Sequence, residues 1–329
     1  MNGGKVHLGT DPVPRLLASK DAALVSFVRR DLLAAGPGPV EQLWELPEAR
    51  AILRKQQEDG SWRYPGQQRK LHPETRYDLL ETWRWLAHLV ERYGFDRHHP
   101  AVERAAGFLF SCQAEEGDFR GILGTQYMPY YHGLILELLV RAGYDDDPRV
   151  VRATQWLLSV RQDDGGWLVP VQAVPAREKT PGLWSASPVP PDCSRPSSHL
   201  ATGMALRAFA VQPHTHALPE VRQAAAWLKS RLFRADHYND RKAPAYWYKF
   251  QHPFWWTNLL TALDSLSLLG WSADDPDVQK GLAWFCDHQR VDGLWPTGYE
   301  QAGRAEPSAK EVQAVEWVGL AVCRMLRRV

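Results

Sequence analysis

Two apolar patterns alternate along the chain. In the first, apolar residues recur every three or four positions, as at Val278, Leu282 and Phe285, and this spacing predicts an amphipathic helix with one buried stripe. In the second, as in residues 254–270, almost every position is apolar, which predicts a helix buried on all sides. The alternation predicts an outer layer of amphipathic helices packed around an inner layer of apolar helices.

Turn and cap residues mark the ends of these helices. The pattern places outer helices near 46–57, 100–113, 147–162, 219–233 and 275–290, and inner helices near 75–93, 128–142, 198–211, 254–269 and 310–328, with a further inner helix at 21–35. Proline begins four outer helices, where its missing N–H costs nothing, and Asp147 and Asp275 precede two of these prolines as predicted N-caps. Gly94, Gly143 and Gly270 follow inner helices as predicted left-handed caps.

A short phrase links outer to inner helices in four places. It reads glutamine, two or three mostly acidic residues, glycine, a spacer and an aromatic residue, and we call it the repeat turn. The four copies are residues 56–62, 113–119, 162–167 and 289–295, and the copy expected within 221–245 has lost the turn. Self-similarity of this kind indicates a repeat fold, and the apolar inner helices favour a closed α/α barrel over an open solenoid.

Composition excludes several classes of protein. The 39 basic and 38 acidic residues leave a net charge of +1, which argues against a nucleic-acid-binding surface. No apolar run reaches 18 residues, and the N-terminus lacks the apolar core of a signal peptide. The four cysteines have no paired spacing, which suits a reducing compartment. We therefore expect a cytoplasmic protein without a transmembrane segment, with peripheral attachment to a membrane and the oligomeric state left open.

The repeat turn resembles the QW motif of squalene–hopene and oxidosqualene cyclases. It is also similar to the Gly-Gly-Phe/Trp turns of protein prenyltransferase β subunits, and the likeness covers roughly residues 46–329. The resemblance implies an all-α fold of the (α/α)6 toroid type, in which the glutamine and the tryptophan are structural. We expect residues 1–45 to form an N-terminal helical segment that joins the ring, and residues 46–329 to form a single domain.

The sequence matches the catalytic motifs of these families less completely than it matches their repeat motif. Triterpene cyclases use an Asp-x-Asp-Asp acid, and no such string occurs in this chain. The nearest string, Asp145-Asp-Asp147, lies in a connector and is predicted to cap a helix. The expected function is binding or conversion of an isoprenoid or other apolar substrate in a central aromatic-lined cavity. The alternative is a non-catalytic binding or scaffold toroid that has lost the cyclase acid, and few carboxylates at the inner helix starts disfavour a carbohydrate-active barrel.

Polar and aromatic residues gather where the inner helices begin. If the chain is catalytic, the candidates for proton transfer are Asp78, His132, His199 and His252. The candidates for the cavity wall, where ring faces stabilise a carbocation, are Trp83, Tyr130, Tyr131, Trp255, Trp256 and Trp317, with simple filling of the core as the alternative. The proline-rich segment 170–198 is a predicted lid over the mouth of the cavity.

Protein prenyltransferases hold zinc with an Asp-x-Cys pair and a later Tyr-His. Here Asp192 and Cys193 are adjacent instead of spaced by one residue, and Tyr131 precedes His132. The resemblance implies zinc bound by Cys193, His199 and His132, which offer thiolate and imidazole ligands. The alternative is three unrelated polar residues that cap helices or line a wet pocket.

Overall fold

A computed structural model of the chain describes residues 8–36, 38–66, 75–238, 241–298 and 307–329. Over these residues the protein is all-α, with isolated β-bridges and no strand. The helices are α1 Val13–Leu17, α2 Ala22–Leu32, α3 Glu41–Trp44, α4 Pro47–Leu53, α5 Tyr77–Ala87, α6 Pro100–Ser111, α7 Pro129–Arg141, α8 Pro148–Ser159, α9 Pro170–Ala173, α10 His199–Ala210, α11 Pro219–Ser230, α12 Leu259–Leu268, α13 Pro276–Asp287 and α14 Ala309–Leu326. A π-helical turn, His88–Arg92, extends α5.

The predicted all-α fold class is confirmed over the described residues. The outer helices are α4, α6, α8, α11 and α13, and the inner helices are α2, α5, α7, α10, α12 and α14. The start of α12 was predicted too early, because α12 begins at Leu259 and leaves Trp255 and Trp256 outside the helix. Asn258 and Thr261 form a capping box that fixes this start, and such a box outweighs the apolar run before it. The end of α4 was predicted too late, since the helix ends at Leu53.

The predicted caps are confirmed. The carboxylate of Asp147 accepts the backbone N–H of Arg149, and the carboxylate of Asp275 accepts those of Asp277 and Val278. Asp147 is therefore a structural residue and not a remnant of an acid motif. Gly94, Gly143 and Gly270 have positive φ, as left-handed caps require.

In its first two copies, the repeat turn is tied to the next outer helix by its glutamine. Gln56 Nε2 donates to the carbonyl of Gly60 (3.0 Å) and to that of Ala101 (2.8 Å), the second residue of α6. Gln113 Nε2 donates in the same way to Gly117 (2.8 Å) and to Arg149 (2.8 Å), the second residue of α8. Each tie joins the turn to the first turn of the next outer helix through a side-chain hydrogen bond, so the motif is structural, as the resemblance implied.

The aromatic residue of the turn is fixed at both its ring and its backbone. The indole Nε1 of Trp62 donates to the carbonyl of Ile52 (3.0 Å), and that of Trp167 donates to Leu157 (2.7 Å). Backbone N–H groups of the same residues donate to side chains of the inner helix that follows, as Trp62 does to Thr82 Oγ1 (3.1 Å). The turn therefore sets the register between an outer and an inner helix.

The third repeat turn departs from the other three. Its glycine, Gly165, stands three residues after Gln162, whereas Gly60 and Gly117 stand four residues after their glutamines. The position of the tie is consequently taken by Arg161, whose Nη1 donates to the carbonyl of Glu220 (2.6 Å), the second residue of α11. Gln162 is released to bind a different part of the chain.

The described residues form two compact units. The terminal unit contains the described residues of 8–39, 228–236 and 241–329, and the middle unit contains those of 40–227 with 237–238. In the terminal unit, α14 packs against α1, α2 and α12, while in the middle unit α7 packs against α5, α8 and α10. Among the described residues, no helix combines the length and the apolar character needed to cross a membrane.

Candidate functional site

The residues predicted to form the site are divided between the two units. Asp78, Trp83, Tyr130, Tyr131, His132, Cys193 and His199 lie in the middle unit, whereas His252, Trp255, Trp256 and Trp317 lie in the terminal unit. Most of them lie in the first turns of inner helices or in the segment before α12. The exceptions are Trp83 and Trp317, which lie in the middle of α5 and α14, and Cys193, which lies in the loop before α10. The candidate site residues therefore form two groups, one in each unit.

Aromatic rings dominate the inner layer of the middle unit. Tyr130 and Tyr131, in the first turn of α7, have ring centroids 4.4 Å apart and are both buried. Trp83 on α5 is also buried, and its Nε1 donates to the carbonyl of Leu134 on α7 (3.2 Å). Both helices therefore contribute buried rings to the apolar layer in which α5 packs on α7.

His132 is a structural residue in this layer. Its Nδ1 accepts the backbone N–H of Phe119 (3.0 Å), and its Nε2 donates to the carbonyl of Ala153 (3.0 Å). Complete burial lowers the pKa of His132 to about 3, so the ring is neutral near pH 7. With both nitrogens engaged, it neither transfers a proton nor offers a lone pair to zinc, which contradicts both roles predicted for it.

Asp78 and His199 begin inner helices at two other places. Asp78 is the second residue of α5 and is half-buried at an open groove of about 650 Å³, which the first repeat turn also lines. His199 is the first residue of α10 and is buried behind the N-cap Ser198, whose hydroxyl accepts the N–H of Ala201. Both remain candidates for proton transfer.

In the terminal unit, His252 stacks on Trp317 with centroids 5.0 Å apart and planes 10° apart. Trp317 is buried and donates from Nε1 to the carboxylate of Asp21 (2.9 Å). Trp255 and Trp256 are half-buried with centroids 5.9 Å apart, and the guanidinium of Arg241 lies 4.8 Å from the Trp256 ring. These ring faces are suited to a cation, because Arg241 already uses one of them in that way.

The described residues contain no group of three His, Cys, Asp or Glu side chains arranged to hold a metal ion. Cys193 is a half-buried, free thiol in the loop before α10. The structure therefore does not bring Cys193, His199 and His132 together as zinc ligands, and the two nitrogens of His132 are already bonded.

An ion cluster that the apolar pattern did not predict lies between α7 and α10. Glu137 is buried and accepts Arg207 Nε (2.7 Å) on one oxygen and Arg141 Nε (3.0 Å) on the other. Burial by itself raises the pKa of Glu137, but Arg207 and Arg141 outweigh it and hold the pKa below its usual value. Breaking such a buried pair leaves an uncompensated charge, so the cluster fixes how these two helices pack.

Helix α7 is thus polarised along its length. Its first turn carries Tyr130 and Tyr131, and a later turn carries Glu137, which pairs with Arg207 of α10. On α5, the ion pair of Glu81 with Arg84 lies next to Trp83 along the helix. Burial raises the pKa of the Glu81 carboxyl, which Arg84 only partly offsets. An apolar ligand is compatible with the ring-bearing end of α7 and incompatible with its charged end.

Comparison with known proteins finds similarity to squalene-hopene cyclases in part of the chain. Residues 78–179 match the model of the squalene-hopene cyclase C-terminal domain. A probable squalene–hopene cyclase from Sinorhizobium fredii (strain NBRC 101917 / NGR234) is 33% identical over 87 residues, which are 26% of this chain and 13% of the relative. The matched stretch is therefore a small part of the relative's length.

Two solved structures align with most of this chain at low identity. A protein from Actinoplanes is 18% identical with a TM-score of 0.45, over 88% of this chain and 87% of that one. The type II terpene cyclase MstE from Scytonema, solved also with its substrate geranylgeranyl dihydroxybenzoate, is 15% identical in that complex with a TM-score of 0.33, over 88% and 99% of the two chains.

The family match and the curated relative each cover less than half of this all-α chain. The predicted resemblance to the terpene cyclase-like toroid superfamily is confirmed, and the matching stretch, residues 78–179, is similar to the squalene-hopene cyclase C-terminal domain.

Proposed function

We propose that this protein binds an isoprenoid or another long apolar molecule against the ring-bearing ends of its inner helices. The observation that supports this most is the coincidence of two features. Trp83, Tyr130 and Tyr131 are buried rings of the apolar layer in which α5 packs on α7, and all three lie within the stretch that matches a squalene-hopene cyclase domain.

The chemistry of these residues fits such a ligand. Burial of hydrocarbon contributes about 0.8 kcal/mol per methylene group, so a chain of fifteen to thirty carbons gains ample affinity from contact with rings alone. The faces of the same rings attract positive charge, which suits a ligand that passes through a carbocation. Central enclosure of the ligand by the inner helices is part of the proposal.

Conversion of the ligand requires an acid that the sequence does not provide in cyclase form. The Asp-x-Asp-Asp string is absent, and this absence favours the second candidate function, a binding module without catalysis. If the protein is an enzyme, Asp78, His199 and His252 are the proposed groups for proton transfer. His132 is no longer a candidate, because both of its ring nitrogens are occupied.

Mass spectrometry of the purified protein tests the proposal directly. We expect an apolar compound in the organic extract and saturable quenching of tryptophan fluorescence by geranylgeraniol, a C20 isoprenoid alcohol. Tyr130→Ala should weaken that binding at least about tenfold. Tyr248→Ala should not, because Tyr248 stacks on Trp284 of the outer helix α13.

Two outcomes decide between the candidate functions. Appearance of a cyclised or otherwise altered product after incubation with geranylgeraniol or squalene would establish catalysis. Saturable binding with no product from either compound would support the binding module. An extract without apolar compounds, together with no saturable quenching, would contradict both.

A further inference from the structure

A long surface segment, residues 174–196, crosses the middle unit between α9 and α10, and we call it the strap. No side chain of the strap is buried, although the residues on both sides of it, such as Val171 and Ser197, are. It carries two short 3-10 turns, Ala176–Glu178 and Pro181–Trp184. The strap is therefore held by something other than apolar packing.

One buried glutamine holds the middle of the strap. Gln126 is fully buried just before α7, and its Oε1 accepts the backbone N–H of Val189 (2.8 Å) while its Nε2 donates to the carbonyl of Leu183 (2.5 Å). The neighbouring Thr125 donates its backbone N–H to the carbonyl of Trp184 (2.9 Å). A single side chain thus binds the strap on both sides of its exposed bend.

The third repeat turn holds the end of the strap. Gln162 Nε2 donates to the carbonyls of Asp192 (2.6 Å) and Arg195 (2.9 Å), and the N–H of Asp163 donates to Cys193 (2.8 Å). Gln162 is available for this contact because Arg161 has taken over the tie to α11. The shortened turn is therefore an adaptation that fastens the strap next to α10.

We propose that the strap is a hinged gate over the first turns of α7 and α10, and that Gln126 is its latch. The two anchors adjoin the starts of these helices, where Tyr130 and His199 lie. The gate rests on the proposed function, because it controls passage of an apolar ligand to the ring-bearing ends. The latch itself does not depend on that function and is tested separately.

The physical basis is the low cost of opening. A segment with few buried apolar contacts opens locally at a small fraction of the cost of global unfolding. When Gln126 is removed, two hydrogen bonds to the strap are lost, and the open population should rise by about tenfold or more. Opening without unfolding of α7 is possible because the strap contributes no side chain to the core.

The first experiment uses the protein without ligand. In Gln126→Ala, trypsin should cleave after Arg177 and Lys179 about tenfold faster than in the unaltered protein, and the Val189 amide should exchange hydrogen faster by a similar factor. Gln113→Ala is the control, because it breaks a repeat tie without touching the strap. Equal acceleration in both variants, or none in Gln126→Ala, would refute the latch.

The second experiment measures geranylgeraniol binding by stopped-flow fluorescence. A gate limits entry and exit alike, so Gln126→Ala should raise the association and dissociation rates together, about tenfold each, and leave Kd within about twofold. Faster cleavage of the strap with unchanged ligand rates would overturn the gate while the latch stands. Failure of the unaltered protein to bind geranylgeraniol or squalene would overturn the gate together with the proposed function, and the latch would still be decided by the cleavage rates.

Discussion

His132 has the same role as a threonine in two other inner helices: its side chain accepts the backbone N–H of the aromatic residue of a repeat turn. Thr82 Oγ1 accepts the backbone N–H of Trp62, and Thr202 Oγ1 accepts that of Trp167 (2.9 Å), just as His132 Nδ1 accepts that of Phe119 (3.0 Å). The shared requirement is a hydrogen-bond acceptor that faces the repeat turn. The residue type differs because the imidazole also reaches the carbonyl of Ala153.

This equivalence predicts that threonine replaces His132 better than alanine does. His132→Ala should lower the free energy of unfolding by about 2–4 kcal/mol, since it leaves a buried N–H without an acceptor and opens a cavity. His132→Thr should restore the acceptor for Phe119 and recover about 1 kcal/mol of that loss. Chemical denaturation at pH 8 measures both, and equal destabilisation of the two variants would contradict the shared role.

The buried imidazole also predicts an acid-sensitive fold. Burial lowers the pKa of His132 from 6.5 to about 3, so between these values the unfolded chain binds a proton that the folded chain does not. Stability should therefore fall as the pH drops below 6.5, by about 2 kcal/mol at pH 5. His132→Thr removes this group, so its loss of stability between pH 8 and pH 5 should be smaller by about that amount; an identical pH dependence would refute the assignment.

Gly60 of the first repeat turn has φ of +89°, and a Cβ there would overlap the carbonyl of Arg104 on α6. Gly60→Ala should therefore cost about 2–5 kcal/mol, from the left-handed backbone and the clash together. Gly107, on α6, has no atom within 4 Å of a Cβ, so Gly107→Ala should instead stabilise by about 0.5–1 kcal/mol. Thermal or chemical denaturation compares the two, and a neutral Gly60→Ala would show that the turn does not need its glycine.

At the scale of elements, the turn and the following outer helix act as one unit of structure. Gln113 and Arg161 make the same kind of contact, a side-chain donor to the carbonyl of the second residue of the next outer helix. Gln162 looks like Gln113 in the sequence but binds the strap instead. The position of a residue relative to the next outer helix therefore decides its role more than its place in the sequence phrase does.

We expect Gln113→Ala and Arg161→Ala each to lower the free energy of unfolding by about 1 kcal/mol, because each loses the hydrogen bond that joins the turn to the next outer helix. Gln162→Ala should cost at least as much, because Gln162 is buried and loses both of its hydrogen bonds to the strap. Gln57→Ala is the control, since that exposed amide reaches only the carbonyl of Lys55. Urea denaturation measures all four, and a cost for Gln57→Ala equal to the costs of the other three variants would contradict the assignment.

The elements themselves could be predicted from the sequence because their signals are local. Periodicity, proline at helix starts and glycine at helix ends predicted the outer and inner helices, and the start of α12 and the end of α4 were each misplaced by several residues. The partners of polar side chains could not be predicted in this way. Glu137 pairs with Arg207 from another helix, and nothing in either local pattern indicates that contact.

The candidate site was harder to predict for the same reason. A polar residue at the start of an inner helix has the same sequence signal whether it receives a backbone N–H, as His132 does, or faces a ligand, as proposed for Asp78. The difference lies in the partner, which the fold supplies. The strap was predicted as a lid from its length and proline content, but its latch, Gln126, carries no signal in the sequence.

At the scale of the molecule, the two ends of the chain meet in the terminal unit. Asp21 caps α2 by accepting the N–H groups of Ala23 and Leu24, and the same carboxylate accepts Trp317 Nε1 and Gln313 Nε2 from α14. Glu316 of α14 makes further contacts of this kind, because its carboxylate accepts hydrogen bonds from Arg15 and Ser19. The first helices of the chain are therefore part of the structure that holds its last helix.

Asp21 and Asp147 form a matched pair for measuring this connection. Both cap a helix, but Asp147 makes its other contacts with Arg149 in the same helix, whereas Asp21 also holds two donors of α14. Asp147→Ala should cost about 1 kcal/mol, as loss of a cap does, and Asp21→Ala should cost about 1–3 kcal/mol more. Amide exchange along α14 should accelerate in Asp21→Ala alone. Equal costs for the two variants, with unchanged exchange in α14, would mean that the ends of the chain are held together by apolar packing and not by this carboxylate.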